Sequence, residues 1–197
     1  MIVLIVILFF SSALSLAQEP SDSTYHVEVT MTASPALSAF RNPRVPGIAN
    51  TPALGYGFFV RGLWHPGRLL AVGLMSGYLS IARDEIPVDG ALSAEFPQPT
   101  AELTAIPLQI AISMQSKSLE VGMGVGPYLM MTSVDDGDGV LAHAKRAEFG
   151  ITLFGFYQFP LTDRMTIGPE LRVLYMGYRG ILSLMPSLSI HSDVLRY

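Results

Sequence analysis

The segment HVEVTMTAS, His26 to Ser34, alternates without a fault. Val27, Val29, Met31 and Ala33 share one phase, and His26, Glu28, Thr30, Thr32 and Ser34 share the other. A period of two describes a strand with one apolar and one polar face. The same pattern recurs along the chain and predicts strands at 24–34, 53–64, 69–82, 102–114, 119–133, 148–159, 165–176 and 181–191. Most exceed the usual length of about five or six residues and suit the roughly 9–11 that cross a bilayer at a tilt.

Which face meets water decides the class. Half of the 197 residues are hydrophobic and 14% are charged, against about 25% charged in an average soluble domain. Mean hydropathy is +0.41. After residue 17 no apolar run approaches the roughly 18–20 residues of a spanning helix. A closed barrel is the other way to satisfy the backbone in lipid.

The faces sort accordingly. In 53–64, Leu54, Tyr56, Phe58, Val60 and Trp64 oppose Ala53, Gly55, Gly57 and Arg61. In 119–133, Leu119, Val121, Met123, Val125 and Leu129 oppose Glu120, Gly122, Gly124, Gly126 and Tyr128. Glycine weakens a water-facing strand, whereas the inside of an eight-stranded barrel has room only for packed side chains. Six of the seven charges within the expected strands, Glu28, Arg61, Glu120, Glu148, Glu170 and Arg172, fall on the small, polar phase. An arginine on the lipid face at mid-bilayer would cost about 2–4 kcal/mol. The third strand is the least regular, with Ala71, Gly73 and Gly77 on one phase and Ser76 and Ser80 on the other. The expected fold is all-β: an eight-stranded antiparallel up-and-down transmembrane β-barrel.

The connections alternate in length. Residues 35–52, 83–101 and 134–147 are long, while 65–68 (HPGR), 115–118, 160–164 and 177–180 are short. Long external loops and short periplasmic turns are the habit of outer-membrane barrels. Tyr25, Trp64, Tyr78, Tyr128, Phe159, Tyr175 and Tyr178 stand toward strand ends, as interfacial girdles do. Pro107, Pro127, Pro169 and Pro186 fall within strands. Each removes a ladder donor, and the expectation is that bulges or near-end positions absorb them.

The opening MIVLIVILFFSSALSLAQEP reads as a secretory signal, residues 1–17, cut before Gln18, which leaves a barrel domain at 18–197. It has no Lys or Arg near Met1, and an uncleaved anchor helix is the other reading. There is no cysteine, so disulfides, thiolate catalysis and zinc–cysteine sites are excluded. The formal net charge of −4 comes with no basic stripe, which argues against nucleic acid as a partner.

The segments AIPLQIAISMQSKSLEVGMGVGPYLMM and FGITLFGFYQFPLTDRMTIGPELRVLYMG resemble hairpins of the small outer-membrane β-barrel proteins of Bacteroidetes-type bacteria. The resemblance covers about residues 102–177. It implies an eight-stranded barrel in the bacterial outer membrane, in contact with lipid and lipopolysaccharide. The terminal Tyr197 resembles the aromatic signal read by the barrel-assembly machinery, although SIHSDVLRY before it departs from clean alternation.

Little in the chain points to chemistry. DDGDG (135–139) lacks the glutamate at the twelfth position of a calcium loop, since counting from Asp135 or Asp136 ends on Arg146 or Ala147. His191 and Ser192 are adjacent on a strand and so face opposite ways. His143 falls in a long loop and His65 in a tight turn; no metal-ligand spacing appears. No cofactor is expected. The six inner charges, with His26 and His191 near the ends of the same faces, read as a polar network that plugs the lumen, because buried charges must pair. The expectation is a non-enzymatic, monomeric outer-membrane barrel with a structural or surface-binding role through its external loops. A small gated pore, a lipid A-modifying barrel enzyme and a soluble lipocalin-like carrier are the alternatives. The last lacks a Gly-x-Trp signature in the first strand.

Overall fold

Period-two segments of this length pair with their chain neighbours, and the sheet closes on itself. The computed structural model describes residues 25–40, 53–66, 69–85, 99–135, 140–177 and 180–196. The signal at 1–17, Tyr178, Tyr197, and most of DDGDG and of the long connections lie outside the described residues.

The described strands are β1 (His26–Phe40), β2 (Ala53–His65), β3 (Leu70–Glu85), β4 (Thr100–Ser116), β5 (Leu119–Asp135), β6 (Val140–Tyr157), β7 (Phe159–Thr162), β8 (Met165–Met176) and β9 (Ile181–Arg196). Each pairs antiparallel with its neighbour, and β9 returns to β1. β6 and β7 occupy one place in the ring. Both pair with β8 in one register, Phe156 opposite Glu170 and Phe159 opposite Ile167. The result is the expected eight-position, up-and-down barrel. One end carries three of the four short connections, all but 177–180, and both strand termini, His26 being opposite Arg196; we call it the turn end. The other is the loop end.

Several strands run past their expected limits. β1 continues through Pro35 to Phe40, and β6 starts at Val140. The ends of the expected loops 35–52 and 83–101, and most of 134–147, are therefore strand. β6 meets β8 only from Gly150 onward, so its earlier residues pair with β5 alone, and residues 142–147 are exposed on both phases. The β5–β6 hairpin rises beyond the rim as a ribbon.

Two irregular stretches are explained by bulges, where one extra residue shifts the alternation. In β3, Ser80 faces Thr104 and Ala82 faces Leu103, so Ile81 is extra; Ser76 faces outward, but Ser80 is buried. In β9, Asp193 faces Glu28 and Leu195 faces Val27, so Val194 is extra. That accounts for the broken alternation of SIHSDVLRY.

The prolines are absorbed differently from the expectation. They sit in gaps in the ladder, well inside strands, and not at bulges. Pairing of β4 with β5 runs Pro107–Tyr128, then Ile110–Val125, and skips the rows at Gly126 and Pro127. Pairing on β8 skips the rows at Gly168 and Pro169. In each Gly-Pro step the proline withholds a donor and the glycine admits the opposite backbone. A Cβ on Gly126 would strike the Leu108 carbonyl, and one on Gly168 the Tyr157 carbonyl. Pro107 falls in a gap on β3, between the Ser76–Leu108 and Leu79–Ala105 rows. Pro186 falls in a gap on β1, where Ala33–Leu188 and Leu37–Leu184 flank it. There the Ser34 hydroxyl sits 2.6 Å from both the Pro35 and the Pro186 carbonyls.

The outward phase is large and apolar: Leu54, Phe58, Leu74, Ile110, Phe149, Leu171 and Leu188 are all exposed. Tyr25, Trp64, Tyr78, Phe159 and Tyr175 also face out. Tyr128, expected in the same girdle, points inward. It is fully buried and its hydroxyl lies 2.6 Å from Thr152 Oγ1.

Candidate functional site: the charged end of the lumen

The lumen-facing phase brings most of the predicted charges together and leaves one apart. All six are buried, each no more than 5% exposed. Arg61 on β2 donates from Nη2 to Glu120 Oε2 on β5 at 3.1 Å. Those strands stand three places apart in the ring, so this ion pair crosses the bore. Arg172 donates from Nε to Glu170 Oε1, two residues away on β8, at 2.8 Å. Its Nη2 also bonds Glu170 and reaches Thr32 Oγ1 on β1 at 3.3 Å. Ser189 gives its hydroxyl to Glu170 Oε2 at 2.9 Å.

Glu28 is the third carboxylate at this end and has no guanidinium bonded to it. It takes imidazoles. Its Oε1 meets His191 Nδ1 and accepts from the Thr30 hydroxyl at 3.1 Å. Its Oε2 lies 3.7 Å from His65 Nε2. His191 Nδ1 is also 3.7 Å from Glu120 Oε2, which joins the Glu28 group to the Arg61–Glu120 pair. Glu148 does not join. It sits toward the loop end, 3.1 Å from the half-exposed Arg146.

Aromatic faces complete the packing. The Arg61 guanidinium lies 3.9 Å from the Phe154 ring centroid, and Arg172 lies 4.2 Å from that of Phe59. The His191 ring stacks on Phe156 at 3.7 Å. A cation over an aromatic face gains further when desolvated.

His65 departs from its expected place. It is the last residue of β2 rather than part of a turn, and it is 1% exposed. It stands directly opposite His26, and the two rings stack with centroids 4.1 Å apart. No spacing in the sequence joins His65 to His26 and Glu28; the β1–β2 ladder does. His26 Nε2 also lies 3.9 Å from Asp193 Oδ1. Sequence reasoning missed Thr30, Phe154 and Phe156 as lumen partners as well, although each stands in phase with a charge already assigned inward.

The arrangement is not a nucleophile relay. A relay needs the hydroxyl on one imidazole nitrogen and the acid on the other. Here Thr30 Oγ1, at 3.2 Å, and Glu28 both meet Nδ1 of His191. Ser192 is on the opposite phase from His191, as the sequence implies.

No family model matches the chain, and no curated protein sequence matches it. Solved structures do. Neisserial surface protein A (NspA) gives a TM-score of 0.56 at 13% identity, over 87% of this chain and 99% of that one. The fold is that of the small outer-membrane β-barrels. A major outer membrane protein from Thermus thermophilus gives 0.56 at 14% identity, over 87% and 99%. Ail, the attachment invasion locus protein of Yersinia pestis, solved in complex with the heparin analogue sucrose octasulfate, gives 0.51 at 9% identity, over the same shares of 87% and 99%. At these identities the likeness carries the fold.

Proposed function

We propose that the protein is a non-enzymatic outer-membrane β-barrel with a structural or surface-binding role, its lumen plugged by the Glu/Arg network. Its working surface is the loop end, where the β5–β6 ribbon exposes His143, Lys145 and Arg146. The observation that carries the reading is the sorting of the wall: exposed bulky apolar residues outside, and Arg61 bonded to Glu120 across the bore inside. A face of that kind belongs in lipid, and a bore crossed by side chains does not conduct.

The same reading makes residues 1–17 a signal removed before Gln18. It places the turn end in the periplasm and the ribbon at the cell surface beside lipopolysaccharide. The chain is then a monomer, handed to the barrel-assembly machinery during biogenesis. Its kin are the Bacteroidetes-type barrels that the 102–177 hairpins resemble.

The test is membrane fractionation, gels run with and without boiling, and conductance in planar bilayers. Recovery in the outer membrane, a heat-dependent mobility shift and a silent bilayer are expected. Discrete conductance steps would replace the plug with a pore. A soluble product without a shift would overturn the barrel reading itself.

A further inference from the structure

We propose that His26, Glu28 and His65 form a binding site for a divalent first-row transition-metal ion, with Asp193 beside His26 at its edge. The three side chains each offer a ligand atom, and these atoms lie within 4.8 Å of one another. The geometry comes from the ladder. His26 and Glu28 are two apart on β1 and so share a face; His65 stands opposite His26 on β2.

Two independent features point to a ligand. First, His65 Nε2 is buried, makes no hydrogen bond, and faces Glu28 Oε2 at 3.7 Å. A buried polar atom without a partner carries a cost, and this one has the free oxygen of Glu28 beside it. Second, the Glu28 carboxylate is divided between two jobs. Oε1 is held by Thr30 and His191, while Oε2 is turned toward His65. Outer partners that fix one oxygen and present the other are what a metal-binding carboxylate needs.

Access and chemistry agree with this. A cavity of about 260 Å3 opens at the turn end, lined by His26, Glu28, Gln115, Gln158, His191 and Asp193 among others. His26, whose side chain is 23% exposed, borders it, and binding requires its ring to turn out of the stack so that both rings aim at one centre. Two imidazoles and a carboxylate select zinc-like ions over calcium or magnesium, which prefer all-oxygen sites. The neighbouring group of Glu28, Glu120 and His191 is a poorer candidate. There the Arg61 guanidinium already occupies Glu120 Oε2.

The site stands on the ladder and not on the membrane assignment; only its description as periplasmic rests on the proposed orientation. The experiment uses tag-free, detergent-solubilised protein that shows the heat-dependent gel shift. It is titrated with Co2+, followed by its visible absorption, and then with Zn2+ in competition. A band that saturates at one ion per chain and is displaced by Zn2+ is expected. His65→Ala and His26→Ala each weaken binding more than about tenfold, and the exposed control His143→Ala leaves it unchanged. Absence of a saturating band overturns the proposal, and so does a band indifferent to His26→Ala and His65→Ala. Should His65→Ala fail to fold, His26→Ala at the rim carries the comparison. A folded barrel without a band sinks the metal site alone, whereas a chain without the gel shift sinks the barrel reading.

Discussion

At the turn end the lumen holds Glu28, Arg61, Glu120, Glu170, Arg172 and His191, tied by ion pairs and hydrogen bonds. Toward the loop end, most inward positions are apolar, with Leu79, Leu103, Met130, Leu174, Met176 and Ile181 all buried; Glu148 and the Tyr128–Thr152 pair are the polar exceptions. One wall of the same strands thus encloses two interiors. The apolar half needs only volume, because dispersion and burial are not directional. The polar half needs each partner in place, because a buried charge left alone costs more than its pair ever contributes. The first kind of filling supplies stability and tolerates exchange. The second requires a specific partner across the bore.

The largest expected effect breaks the polar half. Arg61→Met strands Glu120 and should cost about 4 kcal/mol. Urea unfolding of the lipid-embedded barrel, scored by the gel shift, measures it. Adding Glu120→Leu should restore most of that loss, since an apolar pair can replace a buried ion pair. A double variant as weak as the single one would mean that the two halves differ less than their chemistry suggests. Next comes the apolar half. Leu174→Ala should cost about 3 kcal/mol through the cavity it leaves, and combined with Arg61→Met the losses should add if the halves are independent. A marked departure from additivity would show them to be one unit. The smallest effect lies outside both. Lys117, in the tight turn between β4 and β5, has φ of 51°, a region costly for residues with a Cβ. Lys117→Gly should raise stability by at most about 1 kcal/mol, with the ion pairs of the lumen untouched.

The wall was legible in the sequence, and its contents were only half so. Alternation located all eight long strands, because period two survives whatever the partners are. It also assigned the six charges inward, since each is in phase with glycine or small polar neighbours. Strand ends were less visible: β1 continues through Pro35, where local propensity argues against it and the ladder gap accommodates it. The bulges at Ile81 and Val194 each look like noise until a neighbour strand shows which residue is extra. What no single strand reveals is contact across the ladder or the bore. His65 reads as a turn residue beside Pro66 and Gly67, yet pairing places it opposite His26. Glu148 reads like the other inner glutamates, yet its height on β6 separates it from them. Phase can be read from one strand; height requires the stagger of all of them.

The contact between Arg61 and Glu120 has a mechanical side. A thin tube under sideways load flattens unless something spans its diameter. β2 and β5 are on facing walls, and these two side chains brace them like a strut, with the Phe154 ring against the guanidinium as a gusset. Lateral pressure from surrounding acyl chains would then be carried through the middle of the barrel as well as around its rim.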